Sequence, residues 1–232
     1  MAKGLYLSAA AHRYDNPTEC PQSCGENVHC KAYMDIVERR MIEHGVPVMR
    51  GYQDEVGDIA MQHRVAEANE WEAFIYYVAH TNSGGGRYTM TLCWDNEESK
   101  AAAAVIGKYR KSITPHKVTV RTDLYEIRKT KMICLYDELF FHDNEEDCAW
   151  FHHGGMEIMA EETVQALCEL LEVEYVAPVD RSDDLKAENE ALRYQLDVLL
   201  KQVDQLADEK KALQKQVDAL KDKIAVAKKA LA

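Results

Sequence analysis

The residues of this chain with the means for hydrolytic chemistry are His12, His80 and Glu138, with Glu26 as a fourth candidate. Each of the first three falls on or just after an apolar stretch that reads as a strand, and in open α/β sheets ligands gather at the carboxyl ends of strands. Glu26 opens the first long helical pattern, where its carboxylate can face the same edge. Two imidazoles and one carboxylate are a catalytic zinc set, which leaves a fourth position for water. Each residue also has a reading without a metal. A buried histidine at a strand end can be a hydrogen-bonded core residue, and a glutamate in a first helical turn is a good partner for the helix dipole. With nine histidines in the chain, residue type alone does not choose among them; sequence order must.

The elements that have to position these side chains alternate between strand and helix. Apolar runs at Gly4–Ala9, Val46–Met49 and Phe74–Ala79 predict strands, as do Tyr88–Trp94, Lys117–Arg121, Leu124–Ile127 and Met132–Phe140. Helical periodicity covers Glu26–His44, closed by Gly45, then Asp58–Glu72, the alanine-rich Asn96–Lys111 and about Glu157–Leu171. Such alternation predicts an α/β fold: a mostly parallel twisted sheet flanked by helices.

Composition narrows the function classes. The 232 residues carry 28 Lys+Arg and 40 Asp+Glu, so 28 − 40 = −12, which argues against a partner bound by neutralising nucleic-acid phosphates. At 47% hydrophobic and 29% charged residues, no stretch approaches the roughly 18 apolar residues of a membrane span. Without a secretory signal pattern at the N-terminus, synthesis in the cytoplasm is expected. The odd count of seven cysteines then suggests free thiols. The spacing Cys20-x3-Cys24-x5-Cys30 beside His29 matches no zinc signature and is read as loop and helix packing.

A second piece begins after Pro178. Val179–Ala232 has no Gly, Pro, Cys or Trp, and from Asp180 onward 11 basic residues balance 11 acidic ones. Leu185, Leu192, Leu199, Leu206, Leu213 and Leu220 recur every seven residues, with Leu196, Val203, Val217, Ile224 and Leu231 at the intervening seam position. This is a coiled-coil pattern, and Asn189 and Lys210 in the seam favour a parallel two-stranded register. The expected organisation is residues 1–175 as a catalytic domain, 176–184 as a linker and 185–232 as a coiled-coil helix that makes a homodimer. A long helix folded back on the first domain is the alternative.

Sequence order adds a family likeness. Tyr6-Leu7-Ser8, His12, Asn16 and Gly25-Glu26-Asn27 resemble the opening of the type-3 family of zinc-dependent N-acetylmuramoyl-L-alanine amidases, found in bacterial autolysins and phage endolysins. His80-Thr81-Asn82 is similar to that family's His-x-Asn strand end. Leu124–Thr130 resembles its segment before the last core strand, and Glu138 with Phe141-His142-Asp143-Asn144 its Glu-containing strand and Phe-x-x-Asn end. The likeness spans residues 4–173.

Carried over residue by residue, the resemblance implies His12, Glu26 and His80 as zinc ligands and Glu138 as the catalytic acid/base. Asp137, just before Glu138, departs from the family pattern, as do Leu139 and Phe140 after it. Because side chains alternate along a strand, only one of Asp137 and Glu138 can face the metal; the spacing to Phe141–Asn144 favours Glu138. The implied reaction is zinc-assisted hydrolysis of the amide between N-acetylmuramic acid and L-alanine in peptidoglycan. The expected site of action is the cell wall, reached by holin-type release in a phage setting or by another export route in a bacterial one. A zinc carboxypeptidase or other metallopeptidase acting on wall peptides is a second reading, and a non-enzymatic wall-binding scaffold a third. Asn82 reads equally well as a turn residue, Arg128 as a surface ion-pair partner, and His142, His152 and His153 as surface or capping histidines.

Overall fold

The computed structural model describes residues 3–11, 25–51 and 56–178, together with separate positions between 192 and 221. The chain divides into two units, Met1–Val176 and Ala177–Ala232. In the second, the described seam positions Leu192, Leu196, Leu199, Val203 and Lys210 are helical and exposed; the rest of the seam lies outside the described residues.

The first unit is built on one six-stranded sheet. Its strands are β1 (Leu5–Ala9), β2 (Val48–Arg50), β3 (Ile75–Asn82), β4 (Thr89–Cys93), β5 (His116–Val120) and β6 (Ile133–Phe141), in the spatial order β2-β1-β3-β6-β4-β5. β2, β1, β3 and β6 run parallel, β4 is antiparallel to β6, and β5 is parallel to β4. The helices are α1 (Glu26–Glu43), α2 (Asp58–Glu70), α3 (Glu97–Tyr109), α4 (Tyr125–Lys129), α5 (Glu145–Trp150) and α6 (Met156–Leu171). A kinked turn at Phe151–Gly155, with Gly154 at φ 101°, joins the last two. Among the described residues no helix is long and apolar enough to cross a membrane.

The central strands are apolar almost throughout because both sheet faces are covered. Leu5, Leu7, Ala9, Ile75, Tyr77, Ala79, Leu135 and Leu139 point to one face and pack with Tyr33, Met34 and Val37 of α1, Ile106 of α3 and Val164 and Leu167 of α6. Their neighbours Tyr6, Tyr76, Val78, Cys134 and Tyr136 point to the other face, under Val65 and Ala68 of α2 and Ile127 of α4. This period-two division decides which side chains can meet at the sheet's carboxyl edge. Local signals set the helix ends: the Asn96 side chain accepts the Ser99 N–H at 2.7 Å to start α3, and Asn144 accepts the Asp147 N–H at 3.1 Å to start α5.

Two expectations need correction. Leu124–Ile127 is not a strand: Leu124 is extended, its carbonyl accepts the Arg128 N–H at 2.9 Å, and α4 follows. Four residues of mixed polarity cannot separate a strand from a single helical turn. Second, the thiols are not all free. Cys30, Cys93, Cys134 and Cys168 are buried free thiols, but Cys148 is disulfide-bonded.

Candidate active site

The site forms where β3 and β6 end side by side. His80 and Glu138 are register partners in parallel strands, so their side chains leave the same face. Glu26 arrives from α1, whose first turn abuts this edge. Its Oε1 accepts the Thr81 backbone N–H at 2.7 Å and lies 3.1 Å from His80 Nδ1. Both groups are withdrawn from solvent, Glu26 at 1% exposure and His80 at 3%. The His80 ring stacks on Tyr136 with centroids 4.1 Å apart and planes within 14°, which leaves it little freedom to rotate.

A second carboxylate stands on the other side of the imidazole. Glu126, from α4, places Oε2 3.7 Å from His80 Nε2. Its Oε1 accepts the Tyr76 hydroxyl at 2.6 Å and the Ser8 hydroxyl at 3.4 Å. His80, Glu126 and Tyr136 border a cavity of about 220 Å³ that Met61, Leu124 and Tyr125 also line.

Electrostatics follow from burial and the crowding of acids. Burial by itself pulls the His80 pKa down, but Glu26 and Glu126 outweigh it and hold the imidazole at about 10 when no metal is present. Glu138 goes up to about 7, chiefly because it is buried; His80 pulls it down, Glu26 and Asp137 push it up, and Arg121 pulls it down. Its Oε2 is buried and has no hydrogen-bond partner among the described residues.

Of the residues expected from the sequence, Glu26, His80 and Glu138 are thus brought together, and His12 lies outside the described residues. Asp137 points into the opposite core, where it meets Arg110 Nη2 at 2.5 Å, the Tyr77 hydroxyl at 2.6 Å and the Thr91 hydroxyl at 3.0 Å. Asn82 accepts the Ser83 N–H at 2.8 Å, a turn bond, and Arg128 is exposed. His142 is not a surface residue: it is 3% exposed, and its Nδ1 lies 3.0 Å from the Thr81 hydroxyl. Sequence reasoning passed over Glu126. Its signal was a lone acid inside an apolar segment read as a strand.

Among the described residues no group of three or more His, Cys, Asp or Glu is arranged to hold a metal ion. The two described candidates nevertheless fit one. Ligand atoms of a tetrahedral zinc at about 2.0–2.2 Å stand roughly 3.3 Å apart, close to the 3.1 Å between His80 Nδ1 and Glu26 Oε1. The Glu138 oxygen without a hydrogen-bond partner belongs to the same crowded edge.

Comparison with solved structures defines the class of fold: it is that of the catalytic domains of N-acetylmuramoyl-L-alanine amidases. The catalytic domain of the amidase CwlV from Bacillus (Paenibacillus) polymyxa var. colistinus matches with a TM-score of 0.64 and 21% identity, over 74% of this chain and 99% of that one. AmiC2 of Nostoc punctiforme gives 0.63 and 19% over 74% and 98%. The catalytic domain of the CD27L endolysin, which targets Clostridia Difficile, gives 0.60 and 16% over 72% and 97%. At these identities it is the fold that is shared. No protein-family model and no curated protein sequence matches the chain.

Proposed function

We propose that this chain is a peptidoglycan hydrolase, a zinc-dependent amidase that cuts the bond between N-acetylmuramic acid and the L-alanine of the stem peptide. The observation that carries this reading is the buried Glu26–His80 pair, held 3.1 Å apart beside Glu138 at the carboxyl edge of an amidase-type sheet. His12, Glu26 and His80 would hold the zinc. When bound, such an ion polarises a carbonyl and brings the pKa of water toward about 7.

The protein's own groups have distinct tasks. Tyr136 holds the His80 ring in place from its face, and Glu26, 3.1 Å from Nδ1 in the zinc-free protein, is placed to share the ion with it. Glu138, whose pKa burial raises to about 7 in the zinc-free protein, is a carboxylate suited to both halves of the proton transfer. It accepts a proton from the water as its oxygen attacks the scissile carbonyl carbon, then delivers it to the amide nitrogen as the carbon–nitrogen bond breaks. The products are the lactyl carboxylate of the sugar and a peptide with a free L-alanine amine. The cavity beside His80 and Glu126 offers an apolar wall for the substrate to lie against.

Elemental analysis together with mass spectrometry of digested walls tests this reading. One zinc per chain and a new L-alanine amino terminus are expected; cuts between amino acids would instead make the chain a peptidase, and neither zinc nor products would make it a binding scaffold. Replacement of His80 by alanine is expected to reduce zinc content from one equivalent to near zero, since it removes an imidazole ligand.

The second unit is read as a parallel homodimer. Exposed Leu192, Leu196, Leu199 and Val203 on helical backbone support this, because they occupy the heptad seam that a second copy would cover. Two heads on one insoluble substrate raise the effective concentration of the second. Removal of residues 180–232 is therefore expected to leave turnover of a small soluble muropeptide unchanged and to weaken action on whole walls several-fold or more; equal losses on both would contradict the avidity role. Action at the wall after cytoplasmic synthesis and release remains part of the same proposal.

A further inference from the structure

The His80 ring is held between two carboxylates, and only one of them belongs to the proposed ligand set. Nδ1 faces Glu26, and Nε2 faces Glu126 Oε2 at 3.7 Å. Glu126 is 4% exposed, and a buried carboxylate must be satisfied by specific donors. Tyr76 from β3 and Ser8 from β1 provide them, both to Oε1. Arg64 Nη1 in turn lies 3.4 Å from the Ser8 hydroxyl. With Oε1 engaged by two neighbours, Oε2 is the atom left to meet the imidazole.

A neutral imidazole has one N–H and one lone pair, and the nitrogen that donates fixes which nitrogen can bind a metal. We propose that Glu126 is a positioning residue: with zinc bound it draws in from 3.7 Å to accept the Nε2–H of His80, so that the Nδ1 lone pair is turned toward the metal. Carboxylates behind histidine ligands have this effect in metal sites generally, and their loss typically costs about 10–100-fold in metal affinity. The arrangement depends on α4. Its single helical turn buries Glu126 and Ile127 together, so the acid reaches the site while the isoleucine packs in the core beside Tyr76 and Tyr136. This inference rests on the zinc reading above and extends it from the ligands to what orients one of them.

The test uses the full-length chain and measures zinc affinity by competition with a chromophoric chelator. Glu126→Gln, which keeps the shape and removes the charge, is expected to weaken zinc about 10–100-fold with an unchanged circular dichroism spectrum. Tyr76→Phe, which removes a donor to Glu126, should shift affinity in the same direction by a smaller factor, and it carries the test if Glu126→Gln does not fold. Nuclear magnetic resonance spectra of the nitrogen-15 histidine-labelled, zinc-loaded protein supply a readout independent of activity: the Nε2–H proton of His80 should carry the downfield shift of a bond to a carboxylate in the wild type and move upfield in Glu126→Gln. Wild-type zinc affinity in both variants, with the Nε2–H shift unchanged, would overturn the positioning role and leave the zinc reading intact. A wild-type chain that binds no zinc would overturn both.

Discussion

Replacement of Glu138 by glutamine is expected to lower wall hydrolysis about 10²–10⁴-fold, the range of a general acid/base, with zinc content unchanged. The amide keeps the size of the side chain but cannot take a proton from water or return one to the leaving nitrogen. Glu138 lies on the same face as His80, yet it is outside the proposed ligand set, which is why metal content and activity should separate. Release of L-alanine amino termini from purified walls, measured beside zinc content, checks both. Wild-type hydrolysis in Glu138→Gln would remove the mechanism.

The same substitution has a pH signature in the zinc-free protein. Burial raises Glu138 from the ordinary 4.5 to about 7, so the folded state binds its proton more tightly than the unfolded state does. Its contribution to stability is complete below about pH 4.5 and is lost as pH rises to 7. Relative to wild type, Glu138→Gln should therefore gain stability across that interval, by roughly 2 kcal/mol once the full 1.36 kcal/mol per pH unit is reduced for partial exposure. His80, raised to about 10, contributes a separate loss of stability that begins above about pH 6.5, in both proteins. Urea titrations in a chelating buffer at pH 5 and pH 8 separate the two windows.

One position earlier, the expected effect is on stability. Asp137→Ala should destabilise the fold by about 3 kcal/mol, the low end for a broken buried pair, because it leaves the Arg110 charge in the core with only the longer 3.5 Å contact to Glu162. The Arg110 and Asp137 side chains are both 0% exposed. Arg110 also donates to the Met159 carbonyl and the Thr163 hydroxyl, each at 2.9 Å, and to the Glu162 carboxylate at a longer 3.5 Å, but Asp137 is the fully buried carboxylate that meets it at 2.5 Å. With Asp137 gone, Tyr77 and Thr91 lose their acceptor too. Replacing Arg110 by methionine and Asp137 by leucine together should recover much of the loss, since a desolvated pair contributes little net over apolar packing. Denaturant melts of the single and double variants check this. A loss below 1 kcal/mol in Asp137→Ala would show that water reaches Arg110.

These neighbouring residues show how far the sequence reaches. β1, β3 and β6 are legible as apolar runs, because strands covered on both faces cannot hide their composition. The alternation rule already says that Asp137 and Glu138 part company, and the spacing to Phe141–Asn144 favours Glu138. The partner of Asp137 was not legible. Arg110 ends a different helix, 27 residues earlier, and only the packing of α3 and α6 against the sheet brings it there. Glu126 was hidden for a related reason. Read as part of a strand, it had no partner; as part of α4 it meets Ser8, Tyr76 and His80, of which Ser8 is 118 residues away.

By itself the sequence determined the alternating elements, the change of composition after Pro178 and the candidacy of Glu26, His80 and Glu138, because these depend on local period and residue chemistry. The tertiary structure decided that β6 inserts between β3 and β4, which sets His80 beside Glu138. It also decided that Asp137 is bound to Arg110 in the far core and that Glu126 stands behind His80. These outcomes depend on strand order and register, which couple residues distant along the chain and leave no periodic trace in it.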